Sequence, residues 1–214
     1  MMQIKSFEFN LFGEKTYVIY DTDSREAAVV DPGMMNEREN DELSSWILAN
    51  ELSVKYLINT HLHIDHVFGD EYVEDKYGVG LSASIDDEFL GDRIAQQAMM
   101  FHLNVNVADA VKISNPLVDG EVLFLGTQPI QIIAVPGHSP GSIALYCPTG
   151  GFVVTGDALF QGSIGRTDLP GGDHSTLLRS IKSKLFVLPD ETTVFPGHGP
   201  ATRICIEKAS NPFF

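Results

Sequence analysis

The segment His61-Leu62-His63-Ile64-Asp65-His66 sets four groups able to bind a metal within six residues. Any fold that keeps it must bring their lone pairs and charges to one place. Imidazole and carboxylate both suit zinc, and also iron. Alternate residues of an extended segment project to one side, so His61 and His63 are expected to face one ion together. The adjacent Asp65-His66 pair breaks that alternation and can point towards a second ion. The stretch reads as one half of a two-metal site.

The other half is scattered along the chain at strand ends. Val54-Lys55-Tyr56-Leu57-Ile58-Asn59-Thr60 reads as a buried strand running into His61. Ile130-Gln131-Ile132-Ile133-Ala134-Val135 is followed by Pro136-Gly137-His138, and Gly151-Phe152-Val153-Val154-Thr155 by Gly156-Asp157. Thr192-Thr193-Val194-Phe195 is followed by Pro196-Gly197-His198. Each β-branched or aromatic run therefore ends in a turn that delivers a His or an Asp. Gly and Pro at those turns allow sharp reversals and close backbone approach. Taken singly, a histidine or aspartate after a strand is an ordinary turn residue. Four successive exits that favour these two residue types have no such simple cause. If the exits share one edge of the fold, His61, His63, Asp65, His66, His138, Asp157 and His198 converge as metal ligands.

Thr60-His61-Leu62-His63-Ile64-Asp65-His66, with His138, Asp157 and His198 downstream, resembles the signature of the metallo-β-lactamase-fold hydrolases. Pro136-Gly137-His138-Ser139-Pro140-Gly141-Ser142, Gly156-Asp157-Ala158-Leu159-Phe160 and Gly165-Arg166-Thr167-Asp168 resemble its glyoxalase-II-like (hydroxyacylglutathione hydrolase-like) branch. So do Phe195-Pro196-Gly197-His198-Gly199 and Asn211-Pro212-Phe213. The resemblance implies an α/β (α+β) fold, a four-layer αββα sandwich of two mixed β-sheets flanked by helices, with residues 1–214 as one domain. It implies that His61, His63 and His138 hold a first metal, that Asp65, His66 and His198 hold a second, and that Asp157 bridges both. The implied cofactor is two zinc ions, with iron or manganese as alternatives. Asp31, in Asp31-Pro32-Gly33, is implied to orient the histidine loop from behind, although it also reads as a turn aspartate. Only the segment 199–214 follows His198. The helical extension that longer glyoxalase II enzymes use to hold glutathione is thus not expected, and the likeness is to the short form.

Composition fits a soluble cytoplasmic enzyme. A chain of 214 residues with 43% hydrophobic content can fill a substantial core. No run approaches the roughly 18 apolar residues needed to span a bilayer, and Met1 to Glu8 lacks the apolar centre of a signal peptide. A net charge of −15 argues against nucleic acid or an anionic membrane surface as partner. Cys147 and Cys205 form no metal or redox motif and are expected as free thiols.

Along the chain, Lys15 to Tyr20 and Glu26 to Val30 read as hairpin strands around Asp21-Thr22-Asp23-Ser24. Asp41 to Glu51 carries Leu43, Trp46, Ile47 and Leu48 near helical spacing, which places Trp46 in the core. A helix is expected after His66, with Val67, Tyr72, Val73 and Tyr77 inward. Ile85 to His102 reads as a further helical stretch, with Met99 to Phe101 packed in the core rather than lining a pocket. Asp173 is placed to cap a helix through Leu177, Leu178, Ile181 and Leu185, which makes His174 a helix-start residue. His102 has no companion motif and reads as structural.

A metal pair activating water needs no serine or cysteine nucleophile. A thiolate, with a pKa near 8.5, leaves with little help from an acid. Hydrolysis of a small-molecule acyl thioester such as S-D-lactoylglutathione is therefore the expected reaction, with Asp65 and Asp157 as the catalytic carboxylates. The alternatives are another metallo-β-lactamase-fold hydrolase of unknown substrate, or a mononuclear-iron persulfide dioxygenase, a family that resembles this chain in the same motifs and uses positions matching His61, His138 and Asp157. A metal that merely staples the fold would be expected in a closed site of four ligands, often thiolates. Arg166 either holds a substrate carboxylate or pairs with Asp168.

Overall fold

The computed structural model describes residues 1–103 and 110–214. Its first sheet runs in the order β1 (Met2–Phe9), β2 (Glu14–Asp21), β3 (Glu26–Val30), β4 (Ser53–Ile58), β5 (Leu81–Ala83) and β6 (Asn115–Pro116). The β1/β2 and β2/β3 pairs are antiparallel, and the pairs from β3 to β6 are parallel. Side chains of a strand alternate between faces, and here both faces are apolar. In β2, Tyr17 and Ile19 look one way and Val18 and Tyr20 the other; in β3, Ala28 and Val30 oppose Ala27 and Val29. Such a sheet must be covered twice.

The second sheet provides one cover. It runs β14 (Thr202–Arg203), β13 (Thr193–Pro196), β10 (Phe152–Gly156), β9 (Ile143–Cys147), β8 (Gln128–Ala134), β7 (Val122–Leu125), and only β10 and β13 pair in parallel. Tyr17, Ile19, Val30 and Ile58 of the first sheet share one buried cluster with Ile130, Ile132, Leu145 and Val154 of the second. A short hairpin, β11 (Leu159–Phe160) with β12 (Ser163–Ile164), follows β10.

Helices cover the outer faces. α1 (Glu37–Ala49) starts at Asn36, whose side chain accepts from the Glu39 amide at 3.1 Å. Its Leu43 and Ile47, one turn apart, pack on the first sheet with Val73 of α2 (Asp70–Tyr77) and Ile94 of α4 (Ile94–Met100). On the other side, α5 (His174–Ser180) continues into a π-helical turn over Ile181–Leu185, and with α6 (Ile204–Ser210) it covers Ala144, Val153 and Val194. The layers are helix, sheet, sheet, helix, as the resemblance implies.

Three local expectations need correction. Leu48 is 78% exposed, because the apolar stripe of α1 follows Leu43 and Ile47. Trp46 is only half-buried and sits edge-to-face on Phe7 and Tyr20 at the margin of the core. The stretch Ile85 to His102 breaks into a 3-10 turn (Ile85–Asp87), α3 (Glu88–Gly91) and α4. The break falls where the Gly91 carbonyl accepts the Val111 amide at 3.0 Å and a Cβ would meet the Val111 backbone. Other expectations hold. Lys15 to Tyr20 and Glu26 to Val30 lie in the hairpin β2/β3, Asp173 caps α5 by accepting from the Thr176 amide at 2.6 Å, and both cysteines are free.

One side chain ties the two sheets directly. Tyr17 of β2 is 1% exposed and its hydroxyl donates to the Pro196 carbonyl of β13 at 2.7 Å. Tyr17→Phe removes the donor and strands that carbonyl, so unfolding free energy should fall by about 1–2 kcal/mol in a urea titration. An unchanged midpoint would show that the sheets gain nothing from this link.

Candidate metal centre

Five strands bring their C-terminal ends to one edge of the sandwich. β3 leads into Asp31 and β4 into Asn59-Thr60-His61, while β8, β10 and β13 lead towards His138, Asp157 and His198. Backbone bonds lock the strand exits together. The Ile143 amide donates to the Thr60 carbonyl, Gly197 to Gly156 and Lys15 to Gly197, each at 2.8 Å. Two glycines permit the crowding. Gly137 has φ +135° and packs on the backbone of Leu177, and a Cβ on Gly197 would collide with Asp157 Oδ1 and His66 Cε1.

The seven residues expected to converge do so. His138 Nε2 lies 3.2 Å from His61 Nε2 and 2.9 Å from His63 Nδ1. Asp65 Oδ2 lies 3.1 Å from His198 Nε2 and 3.8 Å from His66 Nε2. Asp157 touches both groups: Oδ1 is 3.5 Å from His66 Nε2, and Oδ2 is 3.7 Å from His138 Nε2 and 3.6 Å from His198 Nε2. His61 sits at a bend just past β4, His63 has extended backbone, and a single 3-10 turn over Ile64–His66 redirects Asp65 and His66.

Groups behind the rings fix which nitrogen of each carries a proton. His138 Nδ1 is 2.7 Å from the Arg166 carbonyl, which only accepts, so Nδ1 donates and Nε2 is left as a lone pair. Thr60 Oγ1 spends its proton on Asp31 Oδ2 at 2.7 Å and therefore accepts from His61 Nδ1 at 3.1 Å. His61 Nε2 is then also a lone pair. Two lone pairs face one another across 3.2 Å. A proton on His63 Nδ1, 2.9 Å from His138 Nε2, or a cation beside the rings satisfies that arrangement, and the imidazole and carboxylate donors suit a divalent metal. Buried His63 Nε2, both His66 ring nitrogens and Asp157 Oδ1 lack a hydrogen-bond partner among the described residues.

Titration behaviour agrees. Burial, reinforced by the neighbouring imidazoles, lowers the pKa of His61 well below the ordinary value and that of His63 to about 3. Both rings are neutral at pH 7, the form that binds metal. Burial works against charge on Asp157 and Asp65. The rings of His66 and His198, joined by His138 at Asp157, still hold both carboxyls below their usual range. At His66 and His198 burial again disfavours charge, but the surrounding carboxylates raise both pKa values. This side of the cluster calls for a cation, as proton or as metal.

Asp31 lies fully buried behind the loop, accepting from the Thr60 amide at 2.7 Å, with Oδ2 3.2 Å from His66 Nδ1. Arg166 engages Asp168 through Nε and Nη2, both at 2.7 Å, while its backbone carbonyl anchors His138. His174 and His102 are exposed and outside the cluster. Met99 and Met100 are 67% and 53% exposed, which overturns their core placement: the inward face of α4 is taken by Ile94, Gln97 and Ala98. Phe101 lines the cavity over the cluster and meets Phe12 edge-to-face at 6.0 Å.

Several supporting residues carry no sequence signal, because their partners are distant in the chain. Buried Asp87 accepts from the Leu62 amide, from Ser139 Oγ and from the Gly141 amide at 3.2, 2.7 and 2.6 Å, and so bolts the His61–His63 segment to the His138 turn. Gln97 accepts from the Ile64 amide and donates to the Leu62 and Leu90 carbonyls. Asn59 holds the His66 carbonyl at 2.8 Å, and the buried Glu14 lies 3.9 Å from His66 Nδ1.

Comparison with known proteins gives a consistent result. Residues 10–198 match the family model described as the metallo-beta-lactamase superfamily. The chain is 38% identical to the hydroxyacylglutathione hydrolase GloC of Haemophilus influenzae, over 99% of this chain and 98% of that protein. Among solved structures, it resembles the BLEG-1 B3 metallo-beta-lactamase with a TM-score of 0.87 at 33% identity, covering 99% of both chains. It resembles TTHA1623 in a di-iron-bound form with a TM-score of 0.85 at 31% identity, covering 98% of this chain and all of that one.

Asp87→Ala would leave two buried amides and the Ser139 hydroxyl without their acceptor. Unfolding free energy should fall by about 3 kcal/mol or more by chemical denaturation. A loss below about 1 kcal/mol would mean that the two loops hold their places without Asp87.

Proposed function

The chain belongs to the metallo-β-lactamase superfamily, and on that premise we propose that it is a binuclear metallohydrolase that cleaves an acyl thioester of a small thiol, as a hydroxyacylglutathione hydrolase does. The observation that carries this reading is the pair of facing lone pairs on His61 and His138, beside a second group of carboxylates and rings joined to the first by Asp157. His61, His63 and His138 would hold one metal and Asp65, His66 and His198 the other, with Asp157 shared. Zinc is the first candidate, with iron or manganese as alternatives. When bound, divalent metal supplies Lewis acidity that polarises a carbonyl oxygen and lowers the pKa of water to about 7.

The chain's own residues do the rest. Asp65, partly open to the cavity, is placed to take the proton of the attacking water. Its pKa, held down by His66 and His198 against burial, keeps it ionised for that task. Asp157 holds the two halves of the cluster in register. Phe12, Phe101 and Leu169 wall the cavity and restrict bulk water. No cysteine lines the cavity among the described residues, and Cys147 is buried between the sheets, where burial pushes its thiol pKa up. The titratable lining is the cluster plus Arg166, which Asp168 occupies, so no separate acid is at hand among the described residues. A thiolate can leave without one, whereas an amide or β-lactam nitrogen cannot do so readily. This favours the thioester. A persulfide dioxygenase using one iron at His61, His138 and Asp157 would leave Asp65, His66 and His198 without a task, although the three stand together.

The test is steady-state hydrolysis of S-D-lactoylglutathione by metal-replete protein, followed through the thioester absorbance. Chelator-sensitive turnover is expected, with kcat/KM at least about 100-fold lower in Asp157→Ala. Thiol-dependent oxygen uptake by the iron form, without hydrolysis, would put the dioxygenase in its place.

A further inference from the structure

A second pocket adjoins the cluster. It offers about 80 Å³ of water-accessible space between α3, α4 and the loop at Leu169-Pro170, and it shares His63, Phe101 and Leu169 with the cavity over the metal ligands. Its other apolar walls are Phe89, Leu90, Met100 and Pro170. The polar side chains around it are either spent or peripheral. Gln97 is committed to the Ile64 amide and to the Leu62 and Leu90 carbonyls, and His63 turns Nδ1 into the cluster. Arg93 and Gln96 are exposed. The pocket therefore has an apolar interior and a polar rim, and it adjoins the reacting centre through His63, Phe101 and Leu169.

We infer that this pocket receives the acyl group of the substrate, and that among thioesters of one thiol the enzyme works faster as an unbranched apolar acyl chain lengthens. The inference rests on the thioester reading above and narrows its substrate class. Three observations lead to it. A scissile carbonyl must sit at the cluster, and the acyl chain begins one bond away, so the contiguous pocket is the nearest space that chain can enter. Carrier thiols of the glutathione kind are peptide-like and charged, and an apolar interior would desolvate them at a cost. Their natural place is the more open cavity bordered by Asp65, Arg166 and His198. Finally, Met100 lines the pocket while 53% exposed and outside the core, and its unbranched thioether adapts well to a flexible chain.

The experiment uses one thiol, N-acetylcysteamine, esterified with acetyl, butyryl and hexanoyl groups, and the metal-replete protein. Burial of each added methylene should raise kcat/KM about fourfold until the pocket is full. Met100→Asp, at an exposed position, should flatten that slope while metal content and melting temperature stay as in the parent. Calorimetry with acetate, butyrate and hexanoate provides a readout independent of turnover, and affinity should rise along the same series. Hydrolysis of all three thioesters at equal efficiency would overturn the acyl pocket and leave the thioesterase standing, as would a slope untouched by Met100→Asp. If no thioester is hydrolysed, the proposed reaction fails. The pocket is then decided by the carboxylates: stronger binding of hexanoate supports it and equal binding overturns it.

Discussion

Two imidazole lone pairs held 3.2 Å apart, with a carboxylate between them and a second group of rings, are the constraint on which the rest of this structure depends. They need a proton, as from His63 Nδ1 at 2.9 Å, or a metal in front, and the protein holds the rings in place from behind. The holding groups are specific. The Arg166 carbonyl orients His138, the Asp31–Thr60 pair orients His61, and Asp31 with Glu14 stands behind His66. The contacts behind His138 and His61 are short hydrogen bonds that orient the rings, while Asp31 and Glu14 stand 3.2 and 3.9 Å from His66 Nδ1.

The sandwich explains how such a cluster can be rigid. Each sheet is apolar on both faces and fixed by packing on two sides, which leaves its strand ends little freedom. Five strands end at the same edge, and backbone bonds between Ile143 and Thr60, Gly197 and Gly156, and Lys15 and Gly197 join the exits to each other. Glycine at Gly137 and Gly197 lets the turns approach more closely than any Cβ would permit. The site is thus an outgrowth of the sheet edges and not a loop laid over them.

Much of this was legible in the sequence for physical reasons. Strand interiors such as Val153-Val154 must be apolar, and a strand exit is where a ligand can be both rigid and exposed to substrate, so the alternation of apolar run and His or Asp turn is visible without any structure. The supporting groups were not legible. Asp87 meets partners 25, 52 and 54 residues away, and nothing in Ile85-Asp86-Asp87 distinguishes it from a surface acid. Gln97 looks like an exposed helical residue until Leu62 and Ile64 are seen beneath it. The same limit misplaced Met99 and Met100, because an apolar run on a short helix shows no difference between the face that packs and the face that lines a cleft. Arg166 reads two ways for a related reason: Asp168 two residues on is an evident partner, but only geometry shows its Nε and Nη2 both engaged there.

The most direct test of the central claim is the divalent metal content of the purified protein, measured by inductively coupled plasma mass spectrometry after metal-replete dialysis at neutral pH. Two ions per chain are expected, since both ligand groups and the shared Asp157 lie within one cluster. One ion per chain would mean that Asp65, His66 and His198 hold no metal, and would favour the single-iron chemistry. No bound ion would contradict the account altogether, because the facing lone pairs would then be stabilised by something other than a metal.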